Sequence, residues 1–206
     1  YDLRWEWFTQ PGELYAVSFF YKTFENPISL QYLNSSNPEF QFANVDQGTI
    51  GGIELELRKT LGFIAPAFDK FKISTNLTLI TSTMDVIEQS GLEPESRPFE
   101  GQSPVLANLS LGYLNPDSKW DIQVSYNYTG ERLAVVGLNS PDIYERGLST
   151  LDAVISKKLG NVSLKFAANN LLNPNYTTSS EYLGQEYLTR QYKKGTSFVL
   201  SVAYEL

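Results

Sequence analysis

Along the last eleven residues, Phe198, Leu200, Val202, Tyr204 and Leu206 share one parity while Ser197, Ser201, Ala203 and Glu205 share the other, with Val199 as the exception. A period of two is the mark of a strand with one apolar face. The same alternation recurs throughout the chain. Tyr1, Leu3, Trp5 and Trp7 oppose Asp2, Arg4 and Glu6, and Tyr15, Val17, Phe19 and Tyr21 open a second strand expected to run on towards Leu33. From Phe40 to Thr60 a long return sets Ile53, Leu55 and Leu57 against Glu54, Glu56 and Arg58, and the pair Gly51-Gly52 suggests a bulge or kink within it. Phe71 to Leu79, Val105 to Tyr113, Trp120 to Tyr128, Leu151 to Ile155 and Val162 to Ala168 alternate in turn. The pattern predicts about nine strands, all antiparallel by their connections, and no helix.

The connections themselves alternate. Those around Pro11-Gly12, Leu61 to Asp69, Pro116-Asp117 and Gly160-Asn161 are short, whereas those around Asn34, Glu93, Leu138 and Glu181 are longer and polar, and read as loops. A β-sandwich has no reason to keep its long loops at one end, whereas a membrane β-barrel has short turns on one side and long loops on the other. Trp5, Trp7, Tyr15, Tyr113, Trp120 and Tyr204 all lie on the apolar parity near the short-turn end, where an interfacial aromatic belt would stand. The competing account is that they fill a sandwich core. The closing strand, Phe198, Leu200, Val202, Tyr204 and Leu206, needs a neighbour on each side or leaves an edge that invites aggregation, and barrel closure removes that edge.

Composition narrows the chemistry. The 206 residues are 42% hydrophobic and 19% charged, a composition neither disordered nor that of a helical membrane bundle. No run approaches the roughly 18 apolar residues of a membrane helix. This does not count against a barrel, whose signal per segment is weak. With no cysteine and no histidine, neither disulfides nor a Ser-His-Asp or Cys-His nucleophile can be assembled, and zinc loses its commonest ligand. The net charge of -7 argues against nucleic acid as a partner. Tyr1 opens directly into strand-like sequence without a basic segment followed by an apolar one, so the start of the chain is read as removed or the sequence as a fragment.

No catalytic, cofactor or metal residues are therefore expected, and the chain is not expected to be an enzyme. Glu54 and Glu56 on one strand face have the residue types of a glycosidase pair, but such a pair must flank a substrate in a shaped pocket. They are better read with Arg58, Asn108, Gln123 and Asn127 as a polar lumen wall. Tyr182, Gln185, Tyr187 and Arg190, with Tyr176 and Tyr192, make the last long connection a ligand or partner surface or, equally, a loop packed on its neighbours. The acidic stretch Glu88 to Glu100 is read as a solvated loop that includes Arg97.

Several stretches together carry a family resemblance. Gly101-Gln102-Ser103-Pro104, Asn108 to Tyr113, Asp142 to Glu145, Leu151-Asp152, Ile155 to Lys158 and Asn170 to Tyr176 stand in an order and spacing that resemble the C-terminal barrel of TonB-dependent outer-membrane receptors. Tyr1 to Trp7, Pro11-Gly12 and Phe24 to Ile28 are similar to the same family's usual wording. Leu172 and the final Leu206 stand where phenylalanine is commoner. The resemblance implies an all-β, antiparallel transmembrane barrel of 22 strands. Residues 1–206 would supply about its last nine, and the plug domain and TonB box would lie outside this chain. It also implies a multi-pass place in the Gram-negative outer membrane, contact with its lipid, coupling to the TonB complex through the plug, and uptake of a scarce ligand such as a siderophore, vitamin, glycan or peptide. A surface lipoprotein or larger outer-membrane assembly is a further partner to consider. The alternatives are a structural barrel component of such an assembly and a soluble carbohydrate-binding β-sandwich.

Overall fold

A computed structural model describes residues 1–33, 39–86, 95–138 and 140–205. In chain order its strands are β1 (Asp2–Trp7), β2 (Leu14–Glu25), β3 (Ile28–Leu33), β4 (Glu39–Asn44), β5 (Gln47–Thr60), β6 (Phe71–Val86), β7 (Glu95–Arg97), β8 (Val105–Asn115), β9 (Trp120–Thr129), β10 (Arg132–Leu138), β11 (Ile143–Glu145), β12 (Leu148–Leu159), β13 (Val162–Asn169), β14 (Tyr176–Tyr182), β15 (Gln185–Tyr192) and β16 (Ser197–Tyr204). Two short 3-10 turns, Leu61–Phe63 and Pro66–Phe68, fill the connection after β5.

Nine of these strands form one continuous path, β1-β2-β5-β6-β8-β9-β12-β13-β16, with β7 added on β6. Every pairing on the path is antiparallel and unshifted. The register carries parity from strand to strand, so that Val17, Leu55, Leu77, Ala107 and Tyr128 stand in one row and Glu56, Asn76, Asn108, Asn127 and Thr150 in another on the opposite face. One face is thus apolar and the other polar across the sheet. The apolar face stays exposed, from Leu55 through Leu111 and Val124 to Leu200. A sandwich would have buried it, so that alternative fails on the face it most needs.

The expected bulge at Gly51-Gly52 is absent, since Tyr21↔Gly51 and Phe20↔Gly52 pair in unbroken register. Gly52 has another reason to lack a side chain. A Cβ there would stand 2.5 Å from the Leu79 carbonyl oxygen and 2.6 Å from the Phe20 ring.

The long connections overturn the expectation of polar loops. Three of them continue their parent strands into a second, six-stranded sheet in the order β15-β14-β11-β10-β3-β4. The strand expected to run unbroken from Tyr15 to Leu33 bends at Asn26, whose φ of 50° is left-handed, and Pro27, so β3 leaves the plane of β2. The expectation of a wholly antiparallel chain fails here too, because β3 and β10 pair in parallel through Gln31↔Val136, Tyr32↔Gly137 and Leu33↔Leu138. Their parents explain it: β2 and β9 run the same way in the large sheet, and each child continues its parent. Asn34, Glu88, Glu93 and Leu206 lie outside the described residues.

The buried apolar cluster sits at this end, between the tops of the large sheet and the second sheet, and contains Val45, Met84, Val86, Leu133, Val136 and Leu138 with Leu33, Phe99 and Tyr144 against it. Polar ties reinforce it. Arg97 donates to Asp142 at 2.7 Å and also pairs with Glu95, while the other Asp142 oxygen accepts from the Gly137 N–H at 2.9 Å. Ser29, fully buried, donates to Glu100 at 2.5 Å.

Candidate functional site

The polar face of the large sheet is built row by row from register. Glu56, Asn76, Asn108 and Asn127 lie side by side, and the next row towards the short turns is Arg58, Ser74, Ser110 and Ser125. Together they line an open groove of about 350 Å³. Gln123 borders it from one row further down, its amide donating to Ser110 at 3.1 Å and Ser125 at 3.2 Å. Five of the six expected lumen-wall residues, Glu56, Arg58, Asn108, Gln123 and Asn127, are brought together in this way. Glu54 shares their face but lies above them, in a separate hollow with Arg4, Ser18, Phe20 and Lys22.

Around Glu56 the charges are matched. One Glu56 oxygen accepts from Arg4 at 2.8 Å and the other pairs with Arg58 at 2.6 Å, while Arg4 also donates to Glu6 at 2.6 Å and to Ser18 at 3.0 Å. A carboxylate held between two guanidinium groups is a structural counter-ion, so Glu54 and Glu56 form no acid–base pair. Sequence reading missed Arg4, Ser74, Asn76, Ser110 and Ser125. All five lie on the polar parity of their strands, but only cross-strand register shows that they meet.

The expected belt residues stand together on the outward, apolar face. Trp7 and Tyr15 pack with ring centroids 5.5 Å apart, and Phe71 against Tyr113 at 4.9 Å. Lys157 lies over the Trp120 ring at 4.6 Å. Trp5 lies one row higher, and Tyr204 pairs with Val162 beside the turn that joins β12 to β13. Of the closing strand, Phe198, Leu200, Val202 and Tyr204 share this face, all exposed, and Phe198 stacks on Phe166 at 6.0 Å.

Beside the same rim, the turn before β2 is locked by Glu13, buried at its side chain. It accepts from Lys59 at 2.6 Å, from the Thr9 hydroxyl at 2.7 Å and from the Thr60 N–H at 3.2 Å. The bond from Lys59, helped by that from Thr9, lowers the Glu13 carboxyl from its ordinary 4.5 to about 2. At the opposite end, burial raises the Tyr144 phenol above its ordinary 10.0.

The last long connection is a hairpin rather than a loop, because β14 pairs with β15 from Tyr176↔Tyr192 to Tyr182↔Gln185. Tyr182 and Tyr187 line a recess of about 740 Å³ with Ser140, Pro141, Ser180, Glu181 and Leu183. Gln185 accepts from the Tyr187 hydroxyl at 3.0 Å outside that recess, and Arg190 turns away to lie over Tyr192 at 4.8 Å. The structure therefore joins two of the four expected loop residues to one concavity.

A twisted antiparallel sheet with an exposed apolar face, a polar inner face and short turns along one rim defines a section of a transmembrane β-barrel wall. Comparison with known proteins makes this specific. The family model described as "TonB dependent receptor-like, beta-barrel" matches residues 1–171, and the chain belongs to that family. Among solved structures it is similar to the copper transporter OprC (16% identity, TM-score 0.68, 98% of this chain and 30% of that one), to the ferric citrate transporter FecA in its unliganded form (14%, 0.69, 98% and 30%) and to the FrpB iron transporter from Neisseria meningitidis (16%, 0.66, 98% and 29%). The likeness at these identities concerns the fold. The chain spans about 30% of the length of these structures. No curated protein matches it.

Proposed function

We propose that this chain is the C-terminal part of the barrel of an outer-membrane receptor that imports a scarce ligand with energy delivered by TonB. The observation that carries the reading is the unbroken nine-strand path with its apolar residues on one face and its polar rows on the other. In this reading Glu56, Arg58, Asn108, Gln123 and Asn127 line the lumen, the belt from Trp7 to Tyr204 lies at the periplasmic interface, and the second sheet stands on the cell surface. The plug, and with it the contact to TonB, belongs to the remainder of the receptor. The neighbours named for copper, ferric citrate and iron support a metal or metal-chelate cargo as the first class to try.

Uptake tests it. Cells making the whole receptor are given copper, ferric citrate and other iron chelates, and accumulation is compared with cells lacking the receptor and with cells lacking TonB. The proposal predicts accumulation of one cargo that needs both. Replacing Tyr182 and Tyr187 with alanine should weaken that uptake severalfold at unchanged receptor abundance if the recess takes part in ligand capture. A receptor whose loss changes the accumulation of no cargo but disperses an outer-membrane assembly would favour the structural alternative.

A further inference from the structure

Lys157 is an anomaly on the outward face. In register it follows Asn115 and Trp120 along one row across β8, β9 and β12, and the rows above it are apolar, beginning with Tyr113, Ile122, Ile155, Phe166 and Leu200. Its ammonium lies 4.6 Å from the centre of the Trp120 ring and donates to the Ser118 carbonyl at 2.5 Å, and no carboxylate pairs with it among the described residues. Lys59 gives the contrast. It too faces outward over a ring, Phe63 at 5.7 Å, but Glu13 neutralises it at 2.6 Å.

Two neutral donors stand with Lys157 on this face, while the acceptors of the adjoining turn are the Asp117 carboxylate, paired with Lys70 at 3.3 Å, and the buried Ser118 hydroxyl. The Trp120 indole N–H has no acceptor among the described residues, and the Tyr113 hydroxyl oxygen accepts from the Asn115 amide at 2.9 Å, which leaves its proton to give away. Asn115 Oδ1 is already taken by the Asp117 and Ser118 N–H groups at 3.1 and 3.2 Å. Such a constellation offers one held positive charge and two neutral donors beside an apolar track. A phosphate fits the donors, and an acyl chain fits the track.

We infer that Lys157, Trp120 and Tyr113 form a site for the phosphate of an anionic phospholipid, whose acyl chains lie along Ile122 and Ile155. The site rests on the barrel reading proposed above and adds to it a headgroup preference at one place on the rim. The apolar rows beside it select a lipid over a free anion, and the Lys157 charge, with no carboxylate paired to it among the described residues, favours a headgroup of net negative charge over a zwitterionic one.

The test uses the whole receptor, purified in detergent and stripped of lipid. Retention of phosphatidylglycerol, phosphatidylcholine and inorganic phosphate is followed by native mass spectrometry and by the thermal midpoint. Phosphatidylglycerol should be held more tightly than phosphatidylcholine by wild type. Lys157→Gln should weaken it about fivefold, the scale of one basic residue at a membrane surface. Lys157→Arg should keep it, and Lys165→Gln, the same charge change on the polar face, should leave it as in wild type. The site is overturned if Lys157→Gln retains phosphatidylglycerol like wild type, if phosphatidylcholine is held equally, or if inorganic phosphate displaces the lipid. A receptor that stays soluble without detergent and responds to neither lipid would instead overturn the barrel reading beneath it.

Discussion

Single residues in this chain act through what they stand against. Glu13 is an acid held ionised by three donors. Because its folded value of about 2 lies below the ordinary 4.5, the bond network stabilises the fold fully above about pH 4.5. That stabilisation is lost as pH falls through about 2. Acid titration of the unfolding midpoint should therefore show a fall in wild type across that window and a flatter profile in Glu13→Gln, and equal profiles would show that the network contributes nothing. Gly52 acts through the side chain it lacks. Gly52→Ala should destabilise the sheet by about 1–3 kcal/mol, the usual range for overpacking. Phe20→Ala should restore only part of this, because the Leu79 carbonyl remains 2.5 Å from the new Cβ. Full restoration in the double mutant, measured by denaturant unfolding, would assign the clash to the ring alone.

Elements were legible where alternation is bounded by turn signals and lost where it lies among loop residues. The nine strands of the main path could be read because alternation, unbroken from Trp120 to Tyr128, shorter in β1 and interrupted at Val199 in β16, recurs between turn signals such as Pro11-Gly12 and Pro116-Asp117. β11, β14, β15 and the end of β10 are three to eight residues long and lie among Pro, Gly and Asn, so the sequence shows loop chemistry where the structure has a sheet, whereas β3 and β4 read in sequence as continuations of β2 and β5, without the break at Asn26-Pro27. Parallel pairing of β3 with β10 could not be read at all, since it follows from two hairpins leaning across the ends of β6 and β8. The candidate site was half legible for the same reason. Parity names polar residues, but only register shows that Arg4 reaches Glu56 across β2. The second sheet is held partly by Arg97 and Asp142, which also anchors Gly137 beside the parallel pair. Asp142→Asn should speed hydrogen exchange of β10 and β3 by about tenfold or more, given roughly 1.5–3 kcal/mol for a charged hydrogen bond, and leave β8, β9 and β12 unchanged. Uniform exchange across both sheets would show the pair to be incidental.

On the scale of the whole molecule, the absence of a core beneath the large sheet among the described residues is the central fact. Its apolar face is exposed across nine strands, and its polar face carries the Arg4–Glu56–Arg58 cluster and an open groove rather than packed side chains. Water on the apolar side would make this arrangement unstable by the ordinary hydrophobic penalty, whereas lipid there makes the same face the stabilising one. The molecule is therefore organised by the direction in which its side chains point, and that direction can be tested by one charge placed on either side.

The most direct measurement is membrane assembly of the whole receptor carrying Leu109→Arg, Val124→Arg or Gln123→Arg, scored by folded receptor in the outer-membrane fraction. The two outward substitutions should impair assembly by about 2–4 kcal/mol near mid-depth, while Gln123→Arg on the polar face should assemble as wild type does. Equal tolerance of all three, or loss confined to Gln123→Arg, would contradict the assignment of the apolar face to lipid.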